Sequence, residues 1–201
     1  MSEHSPCPSH HQYSDQELVK KSIENIEFFA HLFERYEHKL LMYILRISSF
    51  SREEAEEVLQ ESFVKAWKNL NDFDGDVKFS SWMYRIVHNT TISEWRKTQS
   101  KGKENMHKVD EEVFQKIPSS MDIAEEFSQR CDSTLIKSVL SEMPEKYREV
   151  LVLRFFEEFS YLEISDILKK TIGTVSTLVN RAKKSFKKTV QKKNIDFSFT
   201  D

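Results

Sequence analysis

Apolar residues recur at helical spacing through most of this chain. Leu32, Tyr36, Leu40, Tyr43 and Ile47 follow at intervals of four, four, three and four, one stripe of a helix predicted over about Ile26 to Ile47. Ser51 can cap a second helix, with Glu54 three positions on to complete a capping box. Ala55, Val58, Leu59, Phe63, Ala66, Trp67 and Leu70 form its inner side, and it stops near Asn71. The polar run Asp72 to Lys78, with Gly75 for backbone freedom, reads as a loop. A third helix follows from about Ser80 to Thr98, burying Trp82, Ile86 and one of Asn89 or Thr90, with Ser93 as a further candidate.

The periodicity lapses from Lys101 to about Ser133, a charged stretch with Pro118 and paired serines, and returns as four further helices. These span about Ser133–Ser141, Glu145–Phe155, Tyr161–Leu168 and Gly173–Lys188. Pro144 suits a first helical turn, where its missing N–H costs nothing, and Ser160 with Glu163 repeats the capping box. The chain therefore divides into a flexible amino-terminal arm (1–21), a helical domain (22–100), an acidic linker (101–132), a second helical domain (133–190) and a tail (191–201). The expected fold class is all-α: two small helical domains on a flexible linker, able to move independently in the free chain, the second containing a helix-turn-helix. Three glycines and four prolines among 201 residues agree with so much helix.

Composition narrows the function. Two cysteines, Cys7 and Cys131, are too few for a disulfide framework, and a reducing cytoplasm is expected. No apolar run is long enough to cross a membrane, and the polar start is unlike a signal peptide. The net charge of −3 argues against a stand-alone nucleic-acid binder, but the charges fall in blocks. From Arg52 to Glu61 five acids face one base; from Lys78 to Lys103 six bases face one acid. From Glu104 to Asp132 eight acids face three bases, and from Lys169 to Lys193 there are nine bases and no acid. Alternating blocks suggest separate surfaces for separate partners. With no glycine-rich phosphate loop, nucleophile elbow or clustered metal ligands, neither an enzyme nor a cofactor is expected. The donors His4, Cys7, His10 and His11 lack a tetrahedral set on a scaffold, so no metal is assigned to them.

Two segments carry candidate chemistry. Around the turn Lys169–Ile172, the last two helices have helix-turn-helix proportions. Val175, Val179, Ala182 and Phe186 should pack inward, leaving Thr174, Ser176, Thr177, Asn180, Arg181, Lys183 and Lys184 towards solvent or DNA. Short polar side chains followed by lysines suit base edges first and phosphates afterwards. The second segment, Phe73 to Lys97, alternates aromatic residues with Lys78, Arg85, Arg96 and Lys97. Aromatic faces can stack on unpaired bases while cations hold the strand. Trp82 and Phe79 suit a core as well, Trp82 more so, and the loop Asp74 to Lys78 is the better candidate for gripping a base taken out of the stack.

These segments resemble a known family. Phe73 to Asn89 (FDGDVKFSSWMYRIVHN) is similar to the promoter-melting segment of extracytoplasmic-function sigma factors of the sigma-70 family. Glu54 to Trp67 (EAEEVLQESFVKAW) is similar to that family's polymerase-binding helix. Met143 to Leu151 (MPEKYREVL), Ser160 to Ile164 (SYLEI), Gly173-Thr174-Val175 and Arg181-Ala182 resemble its −35-recognition domain. The resemblance implies a non-enzymatic, cytoplasmic subunit that binds core RNA polymerase and directs it to promoters by recognising −35 and −10 elements and melting DNA. It implies that Glu57, Gln60, Glu61 and Phe63 dock on the polymerase, and that Asp74, Gly75, Asp76, Val77 and Lys78 capture a −10 base. Arg85, Asn89, Arg96 and Lys97 would face that strand, with Asn89 alternatively a core amide, and the helix from Gly173 would enter the −35 groove. The linker would thread towards the active-site cleft. The partners implied are core polymerase, promoter DNA and, as a further candidate, an anti-sigma factor. Lys169 departs from the family's usual turn glycine, and Ser176 and Leu178 from common basic positions; Leu178 could instead meet a thymine methyl. Ser93 stands in place of a frequent aspartate, and nothing in the sequence explains it.

Overall fold

The structure is a computed structural model that describes residues 13–100 and 133–193. The linker at 101–132, the His/Cys run before Tyr13 and the tail from residue 194 lie outside these residues. Among them are eight α-helices and no strand: α1 (Asp15–Glu24), α2 (Glu27–Ile47), α3 (Arg52–Lys68), α4 (Phe79–Ser100), α5 (Ser133–Glu142), α6 (Glu145–Phe155), α7 (Tyr161–Leu168) and α8 (Ile172–Lys192). A 3-10 turn at Leu70–Asp72 ends the second helical segment where the sequence predicts a stop.

Helix α1 corrects the expectation of a flexible arm through residue 21. Ser14 accepts from the Glu17 backbone N–H while Glu17 reaches back to the Ser14 N–H, a complete capping box. Leu18, Val19 and Ser22 are buried against α2, and Asp15 pairs with Arg35 and accepts from the Tyr36 hydroxyl. One short apolar stripe among polar neighbours is a weak periodic signal; the cap and the contacts to α2 make it a helix.

Elsewhere the local rules hold. Ser51 and Ser160 both form the expected capping boxes, with Glu54 and Glu163. Pro144 sits one residue ahead of α6, at its N-cap. Thr171, not Gly173, opens α8: its hydroxyl accepts from the Thr174 N–H, so the helix begins at Ile172. The stripe Leu32, Tyr36, Leu40, Tyr43 and Ile47 is buried, as are Val175, Val179, Ala182 and Phe186.

In this structure the two helical halves are docked on one another. α4 packs on α7 and α2 on α6, and one apolar core runs through both halves. Tyr84 meets Phe159 edge-on at 4.8 Å between ring centres. Arg46 donates to Glu157 at 2.8 Å, and the Tyr84 hydroxyl donates to the same carboxylate at 2.6 Å.

Lys169 closes α7 in the left-handed region, at φ 51° and ψ 47°. A side chain there crowds the backbone at a cost of about 1–2 kcal/mol, which glycine avoids. Lys169→Gly should raise stability by about 1 kcal/mol and the melting temperature by a few degrees, read by thermal denaturation.

Candidate nucleic-acid and polymerase interfaces

Helix α3 turns two faces outward and inward as its period demands. Glu57, Gln60 and Glu61 are exposed on one side, and Val64 extends that stripe with 51% of its surface exposed. Phe63 points the other way. It is only 5% exposed and packs on Phe33 and Phe29, with ring centres 4.6 and 6.2 Å away. Its placement among docking residues is therefore corrected: Phe63 is core, and Val64, one residue on, is the apolar member of the outer face. The signal was available, because residues 57, 60, 61 and 64 share one helical stripe.

The loop before α4 is arranged by backbone conformation. Gly75 has φ 83°, a region open to glycine, and Asp74 accepts from the Asp76 N–H at 3.0 Å, tightening the turn. Asp74, Asp76 and Lys78 are exposed, while Gly75 and Val77 are half-buried. The neighbouring aromatics take the core alternative that the sequence offers for Phe79 and Trp82. Phe73, Phe79 and Trp82 pack on one another at 5.4–5.7 Å and support the loop from below. Tyr84 is buried, and Trp95 donates to the Ser49 hydroxyl and stacks under Arg148.

Along α4 the alternatives separate. Thr90 is buried and Asn89 and Ser93 are exposed, so Asn89 is a surface amide on the helix that carries Arg85, Arg96 and Lys97. Arg85 is half-buried, and Lys97 bonds Glu94 at 2.6 Å. Two of the cations are held by the second half of the chain: Lys78 pairs with Glu163 at 2.9 Å and Arg96 with Glu145 at 3.2 Å.

On α8, Thr174, Thr177, Asn180, Arg181, Lys183 and Lys184 are exposed, and Ser176 is half-buried. The Thr177 hydroxyl bonds back to the Gly173 carbonyl at 2.9 Å, and the Lys183 ammonium lies 5.2 Å from the Phe155 ring centre. Leu178 is half-buried against the core, which leaves it little reach towards a thymine methyl.

Between the halves lies a group of buried titratable residues that sequence periodicity did not single out. His88 bonds Tyr43 at 2.9 Å, and burial, with Lys170 and Arg96 nearby, lowers its pKa to about 4. Burial and the adjacent Glu145 raise Glu149 to about 7, against the pull of Lys170 and Arg148. Burial also raises Glu157, opposed by Arg46 and Tyr84. The signs oppose each other. Glu149 contributes stability that is full below its ordinary 4.5 and is lost as the pH rises through about 7; His88 contributes stability lost as the pH falls from 6.5 towards 4. Glu149→Gln cancels the first and leaves the second unchanged. The variant should melt higher than the parent at pH 8, with the gap shrinking towards pH 5, by calorimetry at both pH values.

Residues 32–101 match the family model for sigma-70 region 2, and residues 133–186 match that for sigma-70 region 4. The chain is 30% identical over 185 residues to the ECF RNA polymerase sigma factor SigW of Bacillus subtilis, covering 85% of this chain and 96% of that protein. It is 31% identical over 188 residues to the RNA polymerase sigma-H factor of Pseudomonas aeruginosa, covering 90% and 95%. Its fold is similar to that of CnrH, solved in complex with the cytosolic domain of CnrY, at a TM-score of 0.65 and 21% identity over 88% of this chain and 97% of the other. The fold is similar also to the sigma factor RpoE of Bartonella quintana, solved with the anti-sigma factor NepR, at a TM-score of 0.60 and 21% identity over 84% and 98%. Two helical halves of this shape, matched in order by both regions and by relatives along nearly their whole length, place the chain in the extracytoplasmic-function class of the sigma-70 family, the factors through which RNA polymerase initiates transcription.

Proposed function

We propose that this chain is an alternative sigma factor whose surfaces divide the work as follows. The exposed stripe Glu57, Gln60, Glu61 and Val64 docks on core polymerase, its acids suiting a basic partner and its valine a small apolar contact. The loop Asp74–Lys78 takes a −10 base, and Arg85, Asn89, Arg96 and Lys97 hold the unwound strand. The start of α8 reads the −35 duplex, with Thr174, Thr177, Asn180 and Arg181 towards base edges and Lys183 and Lys184 towards phosphates. No step of this work requires a catalytic group or cofactor from the chain. It acts where the polymerase and chromosome are, in the cytoplasm, and no helix among the described residues is long and apolar enough to cross a membrane.

The observation that carries this reading is the α8 surface. A capped helix start presents short polar side chains and Arg181 on a rigid base of Val175, Val179 and Ala182, the form of an element that enters a major groove. CnrH was solved with the cytosolic domain of CnrY and the Bartonella quintana RpoE with the anti-sigma factor NepR, which supports an anti-sigma factor as a partner here too. A stand-alone helix-turn-helix repressor would instead bind duplex DNA by itself.

Transcription of genomic fragments by core polymerase, with and without the chain, identifies a dependent promoter. A gel shift on that promoter should then need both chain and core. Arg181→Ala should cut transcription from it by about tenfold, in line with one lost bidentate base contact, while co-elution with core stays unchanged. Glu57→Lys with Glu61→Lys should do the opposite, abolishing co-elution while the melting temperature stays near that of the parent. Duplex binding without core, or loss of co-elution in Arg181→Ala, would refute the assignment.

A further inference from the structure

One stripe of α4 is turned towards the second half. Tyr84, His88, Thr91 and Trp95 follow at intervals of four, three and four. Tyr84 meets Phe159 and Trp95 lies under Arg148, so His88 and Thr91, buried between them, face the same way. His88 bonds Tyr43 of α2, which is itself buried. On α6, Glu149 is buried too, and its carboxyl shares a hydrogen bond with that of Glu145, one turn back. Two carboxyls can share a hydrogen bond only while one of them keeps its proton. Lys170, in the turn before α8, acts on both Glu149 and His88, and Glu149 in turn acts on Tyr43, which ties the acid and the imidazole into one group.

We propose that Glu149 and His88 form a matched pair, both uncharged while the halves are docked and both ionised once the halves part, so that opening passes a proton from acid to base. The balance closes. One O–H bond breaks at Glu149, one N–H bond forms at His88, water carries the proton between them, and none is gained or lost overall. Lys170 and Arg148 favour the Glu149 carboxylate, but burial and Glu145 outweigh them; at His88 burial, Lys170 and Arg96 all disfavour the charged ring. Glu157, nearby, is answered by Arg46 and Tyr84 and lies outside the pair. Parting the halves also releases Lys78 from Glu163 and Arg96 from Glu145, so the pair sets how that release responds to pH, whatever those cations bind.

The two residues pull in opposite directions. Burial and Glu145 hold the Glu149 carboxyl at about 7, against an ordinary 4.5. Opening therefore releases its proton across pH 4.5 to 7, and over that range opening grows easier as the pH rises. Burial, Lys170 and Arg96 hold His88 at about 4, against an ordinary 6.5. Opening lets it take up a proton across pH 4 to 6.5, and there opening grows easier as the pH falls. Between pH 4.5 and 6.5 the two dependences cancel. The pair thereby shields the docked arrangement from acidification, to which His88 alone would expose it, and from a rise in pH, to which Glu149 alone would.

The test uses the full chain with Cys7 and Cys131 replaced by serine and a single reporter cysteine. Thr91→Cys lies on the buried stripe and reacts with iodoacetamide when the halves part; Ser93→Cys is exposed and gives the rate of an open thiol at each pH. The ratio of the two rates is the opening equilibrium. Ala66→Cys, buried in α3, should react more slowly than Thr91→Cys, because the first half stays folded as the halves part. Between pH 5.5 and 7.5, opening in Glu149→Gln should fall about twentyfold relative to the parent, and in His88→Gln it should rise about tenfold relative to it. The double variant should follow the parent within about threefold. Titration of Glu157 is common to all four chains and cancels in the comparison. A single variant that tracks the parent overturns the proposal, as does a double variant that departs as far as a single one, or equal labelling of Ala66→Cys and Thr91→Cys. Glu149→Gln decides the matter alone if His88→Gln does not fold. Polymerase and DNA are absent throughout, so the sigma-factor reading is judged separately, by transcription and co-elution.

Discussion

A carboxylate shared by an arginine and a tyrosine holds the two halves of this chain in register. Glu157 follows α6, Arg46 lies in the last turn of α2, and Tyr84 is on α4, so one side chain from the second half bridges two helices of the first. Apolar packing around it, Tyr84 on Phe159 and Arg46 on Phe156, supplies area without direction. The charged contact supplies direction, because a buried carboxylate displaced from its donors would keep the desolvation cost and lose the compensation. The position of α7 over α4, and with it the pairing of Lys78 and Arg96, follows from that one site.

The functional surfaces are consequences of helix geometry on this frame. On α3 the period of 3.6 residues turns Phe63 into the core and Val64 out, a difference of one position that changes which side chain can meet a partner. On α8 the same period buries Val175, Val179 and Ala182 and exposes Asn180 and Arg181. On α4 the aromatic residues serve the frame, and the polar and cationic ones serve the surface. The loop at Asp74–Lys78 is shaped by Gly75 and by the Asp74 side chain, over a floor of Phe73, Phe79 and Trp82. A rigid floor under a polar loop suits the base capture proposed for it, since looseness there would forfeit the contact.

Much of this was legible in the order of residues. Seven of the eight helices follow from apolar spacing, and two of the three capping boxes from Ser and Glu three residues apart. The strain at Lys169 could be anticipated from a lysine where the turn needs a left-handed residue. For Phe63 the two readings of the sequence disagree: the resemblance puts it on the docking face, the apolar spacing on the inner side of α3, and the structure has it inside. Helix α1 was missed because its stability comes from Asp15 reaching Arg35 and Tyr36, twenty and twenty-one positions away.

What local sequence determined by itself was the helices, their caps and the apolar face of each, because these depend on interactions within a few residues. Those rules also sufficed to show that two basic segments alternate with acidic ones. What only the tertiary structure decided was which faces meet: that Glu145, Glu157 and Glu163 lie against Arg96, Arg46 and Lys78, and that His88 and Glu149 lose their water. Such pairings span 49 to 111 positions in the chain. No local periodicity encodes them, since they follow from how two closed surfaces fit and from the cost of leaving a charge buried without a partner.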